Sequence, residues 1–211
     1  MILASQSPRR IELMREAGLD PRVIPADADE TPLPGETPFH LVERLARAKA
    51  ATVAERSARP GEVVVAADTI VTVDGEALGK PKDAETARAM LRRLSGRTHQ
   101  VATGTCILRA PDEASDSGRL ASSSETDRSE QSVPSPAGAV ESFVTVTDVS
   151  FYELTDAEIG AYVASGEPMD KAGAYGIQGA GGRLLVRGIR GDFYNVVGLP
   201  IAEVVRRLRR L

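Results

Sequence analysis

Two arginines open a short helical pattern in Ile2-Leu3-Ala4-Ser5-Gln6-Ser7-Pro8-Arg9-Arg10. Ser7 reads as an N-cap and Pro8 as the first helical residue, which places Arg9 and Arg10 in the first turn. The helix dipole is positive there and disfavours cations. Arg10 also holds the capping-box position that prefers Glu or Gln. Departures from local rules gather at functional sites. Backbone N–H groups, the Ser5 and Ser7 hydroxyls and two guanidinium groups suit an anion, most simply a phosphate chain. The competing reading makes both arginines solvated surface.

Other residues offer complementary chemistry. Asp68-Thr69 follows the apolar run Val63–Ala67, and ligands of open α/β sheets sit beyond the carboxyl ends of strands. A carboxylate there can orient a metal or deprotonate water; the alternative is a turn aspartate satisfied by nearby N–H groups. Gly79-Lys80-Pro81 lies close by. It fails the Walker pattern in spacing and in having Pro81 where Ser or Thr belongs, but Lys80 can meet phosphate as a point charge. Lys49 shares a helical stripe with Val42, Leu45 and Ala46, as a snorkelling lysine or as a cation aimed at an anionic site. Asp27, Asp29 and Glu30 form an acidic loop before Pro32, either solvated or a source of hard oxygen ligands. In the glycine-rich stretch around Gly173–Gly182, Gln178 carries both donor and acceptor groups able to read a nucleobase edge. A plain glycine turn is the alternative.

These residues need a scaffold. Strand and helix signals alternate over 211 residues, which predicts an α/β fold. A hydrophobic content of 42% with 4% aromatics predicts an aliphatic core. Helices are expected from Pro8 to a stop at Gly18, from near Pro38, from an Asp83 cap to Gly96, from a Thr155/Glu158 capping box, and from Pro200. The arginines of the last helix suit its C-terminus as solvated residues. Strands are expected at Val23-Ile24, Val63–Ala67 with an extension to Val73, Val101–Leu108, Val140–Tyr152 and Leu184-Leu185-Val186. Asp74-Gly75 is a hairpin turn. The stretch 110–139 is rich in Ser, Asp, Glu, Pro and Gly and reads as a long flexible insert.

Composition excludes several classes. A net charge of −4 argues against general nucleic-acid binding. A single cysteine, Cys106, forbids an internal disulfide and reads as inert core; with two histidines, a zinc site is not expected. No segment approaches the ~18 apolar residues of a membrane span, and no signal peptide opens the chain. A cytoplasmic protein is expected.

The segments Leu3–Arg10, Asp29–Pro32, Ala67–Thr69, Gly79–Pro81, Leu94–Gly96, Asp170–Gly179 and Asn195–Pro200 are similar, in order, to those of the Maf family of nucleoside triphosphate pyrophosphatases. The resemblance covers nearly the whole chain as one Maf-like domain, 1–211, and 110–139 stands where relatives have a shorter connection. It implies a two-lobed mixed α/β fold of the Maf/inosine-triphosphatase-like type with a central cleft, often as a homodimer. It further implies hydrolysis of a nucleoside triphosphate to monophosphate and pyrophosphate with a divalent cation, Mg²⁺ or Mn²⁺. By this resemblance Asp68 is the proton acceptor and a metal ligand with Glu30, while Ser5, Arg10, Lys49 and Lys80 surround the phosphates. Arg9, Thr69 and Gln178 match the branch acting on dTTP and UTP rather than the branch acting on 7-methyl-GTP. The alternative function is a nucleotide-binding regulator of cell division or septum formation with little turnover. The broken Walker pattern disfavours a P-loop phosphotransferase.

Overall fold

The apolar run at Val63 becomes the strand on which the rest of the fold is arranged. The structure, a computed structural model, describes residues 1–112 and 139–211. The expectation of a flexible insert therefore falls, over 113–138, outside the described residues.

In chain order, the first half comprises β1 (Ile2–Leu3), α1 (Pro8–Glu16), β2 (Arg22–Val23), α2 (Pro38–Ser57), β3 (Val63–Val73), β4 (Glu76–Leu78) and α3 (Ala84–Leu94). There follow β5 (Thr98–Arg109), β6 (Val140–Phe151), α4 (Asp156–Ala164), β7 (Val186–Arg190), α5 (Phe193–Val197) and α6 (Ile201–Leu208). The strands form one mixed sheet in the order β2-β1-β3-β5-β6-β7, with β4 hairpinned onto the end of β3. β1 runs parallel to both β2 and β3, whereas β5, β6 and β7 continue antiparallel. This is the expected α/β class.

The local signals explain most boundaries. Asp83 accepts from the Thr86 N–H at 2.7 Å, and Thr155 with Glu158 forms the full capping box of α4. Asp74 and Gly75 take φ of 55° and 77°, as the β3–β4 hairpin turn requires. Cys106 is fully buried, and burial pushes its thiol up to about 12.

Three expectations need correction. Leu184 ends a 3-10 turn, Gly182–Leu184, and the strand is Val186–Arg190 instead. The glycines before Leu184 continue turning because Gly181 and Gly182 are tied to a carboxylate, as described below. The last arginines are not uniformly solvated. Arg207 donates to Glu203 at 2.8 Å, contacts Glu141, and stacks 4.0 Å over the Phe143 ring. Asp68 does not lie beyond a strand end, because β3 continues past it to Val73. What ends near this level is β1, which pairs with β3 only at Val64 and Val65. The short partner opens the sheet beside Asp68.

The two-residue side-chain period of β3 then distributes the chemistry. Val64 and Ala66 pack with Ala46, Ala50 and Val53 of α2. Val65 and Ala67 pack on the opposite face with Leu13 and Met14 of α1 and Val204 of α6. Asp68 continues the α2 face, and Thr69 continues the α1 face. Farther along, Val71 and Val73 join a separate core with α3, α4, Phe151 and Tyr175. The polar pair Asp68-Thr69 thus falls where one apolar core gives way to the other, and the cleft lies there.

Gly104 of β5 sits directly opposite Asp68. A methyl group at Gly104 would lie 2.3 Å from the backbone carbonyl of Val42 in α2. The missing side chain lets the helix approach the sheet at this level. Lys49 lies two turns after Val42 on the same helical face. Gly104→Ala is expected to destabilise the protein by roughly 2–4 kcal/mol, because backbone on both sides leaves nothing soft to yield. Urea unfolding at neutral pH measures it.

Candidate active site

Asp68 and Lys49 form the centre of the site. Lys49 Nζ donates to Asp68 Oδ1 at 2.6 Å and to Glu30 Oε1 at 2.6 Å. The side chains of Lys49 and Asp68 are 12% and 17% exposed, whereas Glu30 is 63% exposed. Lys49 therefore does not snorkel to solvent. It turns its head into the cleft, where two carboxylates from separate loops and strands converge on one ammonium. The Lys49 bond holds the Glu30 carboxyl below its usual range against the opposing effect of burial, and the charges of Lys80 and Arg10 add to the effect.

Arg10 has a different geometry from the one expected of a phosphate clamp. Its guanidinium donates to the Gly198 carbonyl at 2.7 Å, the Ala67 carbonyl at 2.7 Å, Thr69 Oγ1 at 3.0 Å and Ser5 Oγ at 3.3 Å. Most of its fork is committed to protein acceptors. Burial lowers its pKa, opposed by the charge of Asp68. Arg10 thus joins α1, β3 and the end of α5 beneath the cleft, while its charge remains next to Asp68. Arg10→Lys is expected to cost roughly 2–3 kcal/mol, since an ammonium cannot span acceptors arranged around a planar fork. The loss is read as a lower melting temperature, with weaker nucleotide binding alongside it.

Thr69 extends this network. Its hydroxyl accepts from Arg10 and lies 2.9 Å from Thr103 Oγ1, which donates to the Asn195 carbonyl at 3.1 Å. Asn195 is fully buried and donates from Nδ2 to the Val101 carbonyl and Thr147 Oγ1, each at 2.9 Å. Ser5 Oγ accepts from the Ser7 N–H at 3.1 Å just ahead of α1, and the Ser7 side chain, expected as the N-cap, makes no capping hydrogen bond.

The remaining residues line the opposite wall. Arg9 donates to Asp170 at 3.4 Å across the cleft. Lys80 is exposed after β4 and lines the cavity, and Gly79 beside it accepts from the Gly173 N–H at 3.0 Å. Gln178 is exposed in the glycine-rich loop and also lines the cavity. Ser5, Arg9, Arg10, Glu30, Lys49, Asp68, Thr69, Lys80 and Gln178 therefore all border one cleft of about 870 Å³. Such a volume accommodates a nucleotide. Asp27 is not among the lining residues, and Asp29 instead caps the Thr31 N–H at 2.9 Å.

Sequence reasoning assigned no role to Gly198, Asn195, Thr103 or Asp170. Gly198 takes φ of 124° and offers its carbonyl to Arg10. The Asn195–Pro200 stretch was distinctive in the sequence, but its partners lie far away along the chain.

The sequence model of the family described as "Maf-like protein" matches residues 1–211. A protein of Anaeromyxobacter dehalogenans named "dTTP/UTP pyrophosphatase" is 50% identical over 210 residues, covering 100% of this chain and 93% of the relative. Proteins with the same name from Geobacter sp. strain M21 and Nitratidesulfovibrio vulgaris are 48% and 44% identical. They cover 99% and 100% of this chain, and 94% and 87% of their own lengths.

Proposed function

This chain belongs to the Maf family, and on that premise we propose that it hydrolyses dTTP and UTP to the nucleoside monophosphate and pyrophosphate. The observation that carries the reading is the Glu30–Lys49–Asp68 cluster, set in a nucleotide-sized cleft that Arg9, Lys80 and Gln178 also border.

A divalent cation fits this cluster. Glu30 and Asp68 present carboxylate oxygens toward one point of positive charge, and Mg²⁺ characteristically takes one or two carboxylates together with substrate phosphates. Among the described residues no group of three or more His, Cys, Asp or Glu residues is placed to hold a metal ion by itself. When bound, Mg²⁺ or Mn²⁺ neutralises charge on the phosphate oxygens.

The protein's own residues supply the rest. Asp68 accepts a proton from water as the water oxygen bonds to the α-phosphorus. The bond from that phosphorus to the α–β bridging oxygen breaks, and its electron pair leaves on pyrophosphate. Lys49, Lys80 and Arg9 stabilise the negative charge that accumulates on the phosphates. Arg10 holds Ser5 and Thr69 in place beneath them. Gln178 meets the acceptor–donor–acceptor edge of uracil or thymine with its amide.

The whole chain acts as one Maf-like unit in this reading, a cytoplasmic homodimer without nucleic-acid partners. Its negative net charge is consistent with the last point, and among the described residues no helix is long and apolar enough to cross a membrane. Incubation with Mg²⁺ or Mn²⁺ and a panel of dTTP, UTP, CTP, GTP and 7-methyl-GTP tests the reading. Pyrophosphate release from dTTP and UTP ahead of the others is expected. Orthophosphate release, or binding without turnover, contradicts it and favours the regulator.

A further inference from the structure

The glycine-rich loop beside the cleft has the composition of a phosphate cradle, but its amides are turned elsewhere. Glu167 begins a 3-10 turn, Glu167–Asp170, just after α4. Its carboxylate accepts from the Gly181 N–H at 3.1 Å and the Gly182 N–H at 3.2 Å. Successive backbone N–H groups of this kind form an anion-binding concavity. Here the anion is a side chain of the protein. Phosphate is therefore excluded from these amides, and the loop is left to present its side chains.

The fit around Glu167 is close. A methyl group at Gly179 would fall 1.6 Å from Glu167 Oε1, and one at Gly182 would fall 3.0 Å from the same atom. One at Gly181 would fall 2.6 Å from the Tyr162 ring. These glycines lack side chains where the loop wraps a carboxylate and the tyrosine beneath it. Tyr162 completes the clamp, since its hydroxyl donates to Glu167 Oε1 at 3.0 Å and accepts from the Gly176 N–H at 3.2 Å. Near the start of the loop, Tyr175 is buried with its hydroxyl 2.8 Å from His99 Nε2.

The loop is thus fixed at Gly176 and again at Gly181 and Gly182. Gln178 lies between these anchors, exposed, and its side chain makes no hydrogen bond to the described residues. Its placement is inherited from the two clamps. We infer that Glu167, acting with Tyr162, is the positioning residue that sets selectivity for uracil and thymine over cytosine by holding the Gln178 loop against the cleft. The inference rests on the reading of Gln178 as the base-facing amide of a dTTP/UTP pyrophosphatase.

Glu167→Gln keeps the side-chain size but replaces one acceptor with an NH₂ group that faces a backbone N–H. Tyr162→Phe keeps the ring beneath Gly181 and removes only the hydroxyl, so it carries the test even if Glu167→Gln folds poorly. Both variants are measured as full-length protein, with melting temperature as the check on folding. KM for dTTP and UTP is expected to rise about tenfold while kcat stays within about threefold, since bonds to a charged group are lost away from the reacting atoms. The preference for dTTP over CTP should narrow by a similar factor. Inhibition by inorganic tripolyphosphate, which has no base, should not change. A folded variant that loses kcat equally on every nucleotide, with its dTTP-to-CTP ratio intact, overturns the inference. A wild-type protein that releases no pyrophosphate from dTTP instead overturns the functional reading on which it rests.

Discussion

Replacing Asp68 with Asn is expected to lower turnover of dTTP by roughly 10²–10⁴-fold, the usual contribution of a positioned general base. The amide oxygen can still accept from Lys49, so the 2.6 Å contact in the cleft survives in form. The strand should be undisturbed, since Asp68 pairs with Gly104 through its backbone. The variant should therefore melt close to the wild type and still bind nucleotide. What it lacks is an oxygen able to take a proton from water. Single-turnover kinetics at saturating dTTP separate this loss from a loss of binding. Near-full turnover in a folded Asp68→Asn protein would remove Asp68 from the role of proton acceptor.

Lys49→Met should have a second large effect, with a distinguishing signature. Methionine retains much of the buried stem but removes the ammonium that joins Asp68 to Glu30. A catalytic cation aimed at developing phosphate charge contributes roughly 10²–10³-fold, so kcat/KM for dTTP should fall by about that factor. Stability should change less. Glu30 is 63% exposed and can rehydrate, whereas Asp68 at 17% carries most of the penalty. Binding of Mn²⁺ in the absence of nucleotide should become tighter, because the protein's own cation no longer occupies the same two oxygens. Calorimetric titration distinguishes this outcome from a general loss of the site, which would weaken Mn²⁺ as well.

The two variants separate the positions that local chemistry revealed from those it concealed. The start of α1 was legible because Ser-Pro-Arg-Arg breaks the charge rule of a helix N-terminus, and the hairpin at Asp74-Gly75 was legible from its turn residues. The capping box of α4 was legible because it depends on residues a few positions apart, and the aliphatic core was legible from composition. The orientation of Lys49 was not. Its helical stripe is compatible with snorkelling, and the partner that receives its head, Asp68, lies on a strand 19 residues further along. Arg10 likewise looked available to phosphate, because its acceptors at Ala67 and Gly198 are carbonyls, which carry no side-chain signature in sequence. The glycine-rich loop was recognised as close to a ligand, but the carboxylate that organises it belongs to Glu167, outside the stretch from Gly173 to Gly182. Asp68 was expected beyond a strand end because the apolar run stops there. In the structure the strand continues and its apolar partners change, which a one-dimensional pattern does not distinguish.

In the proposed mechanism, water attacks the α-phosphorus. Hydrolysis of dTTP in ¹⁸O-labelled water, followed by mass spectrometry of both products, tests it most directly. The mechanism predicts that the label enters dTMP and that pyrophosphate leaves with none. Label in pyrophosphate would place the attack on the β-phosphorus, and label in orthophosphate would place it on the γ-phosphorus; either result contradicts the mechanism.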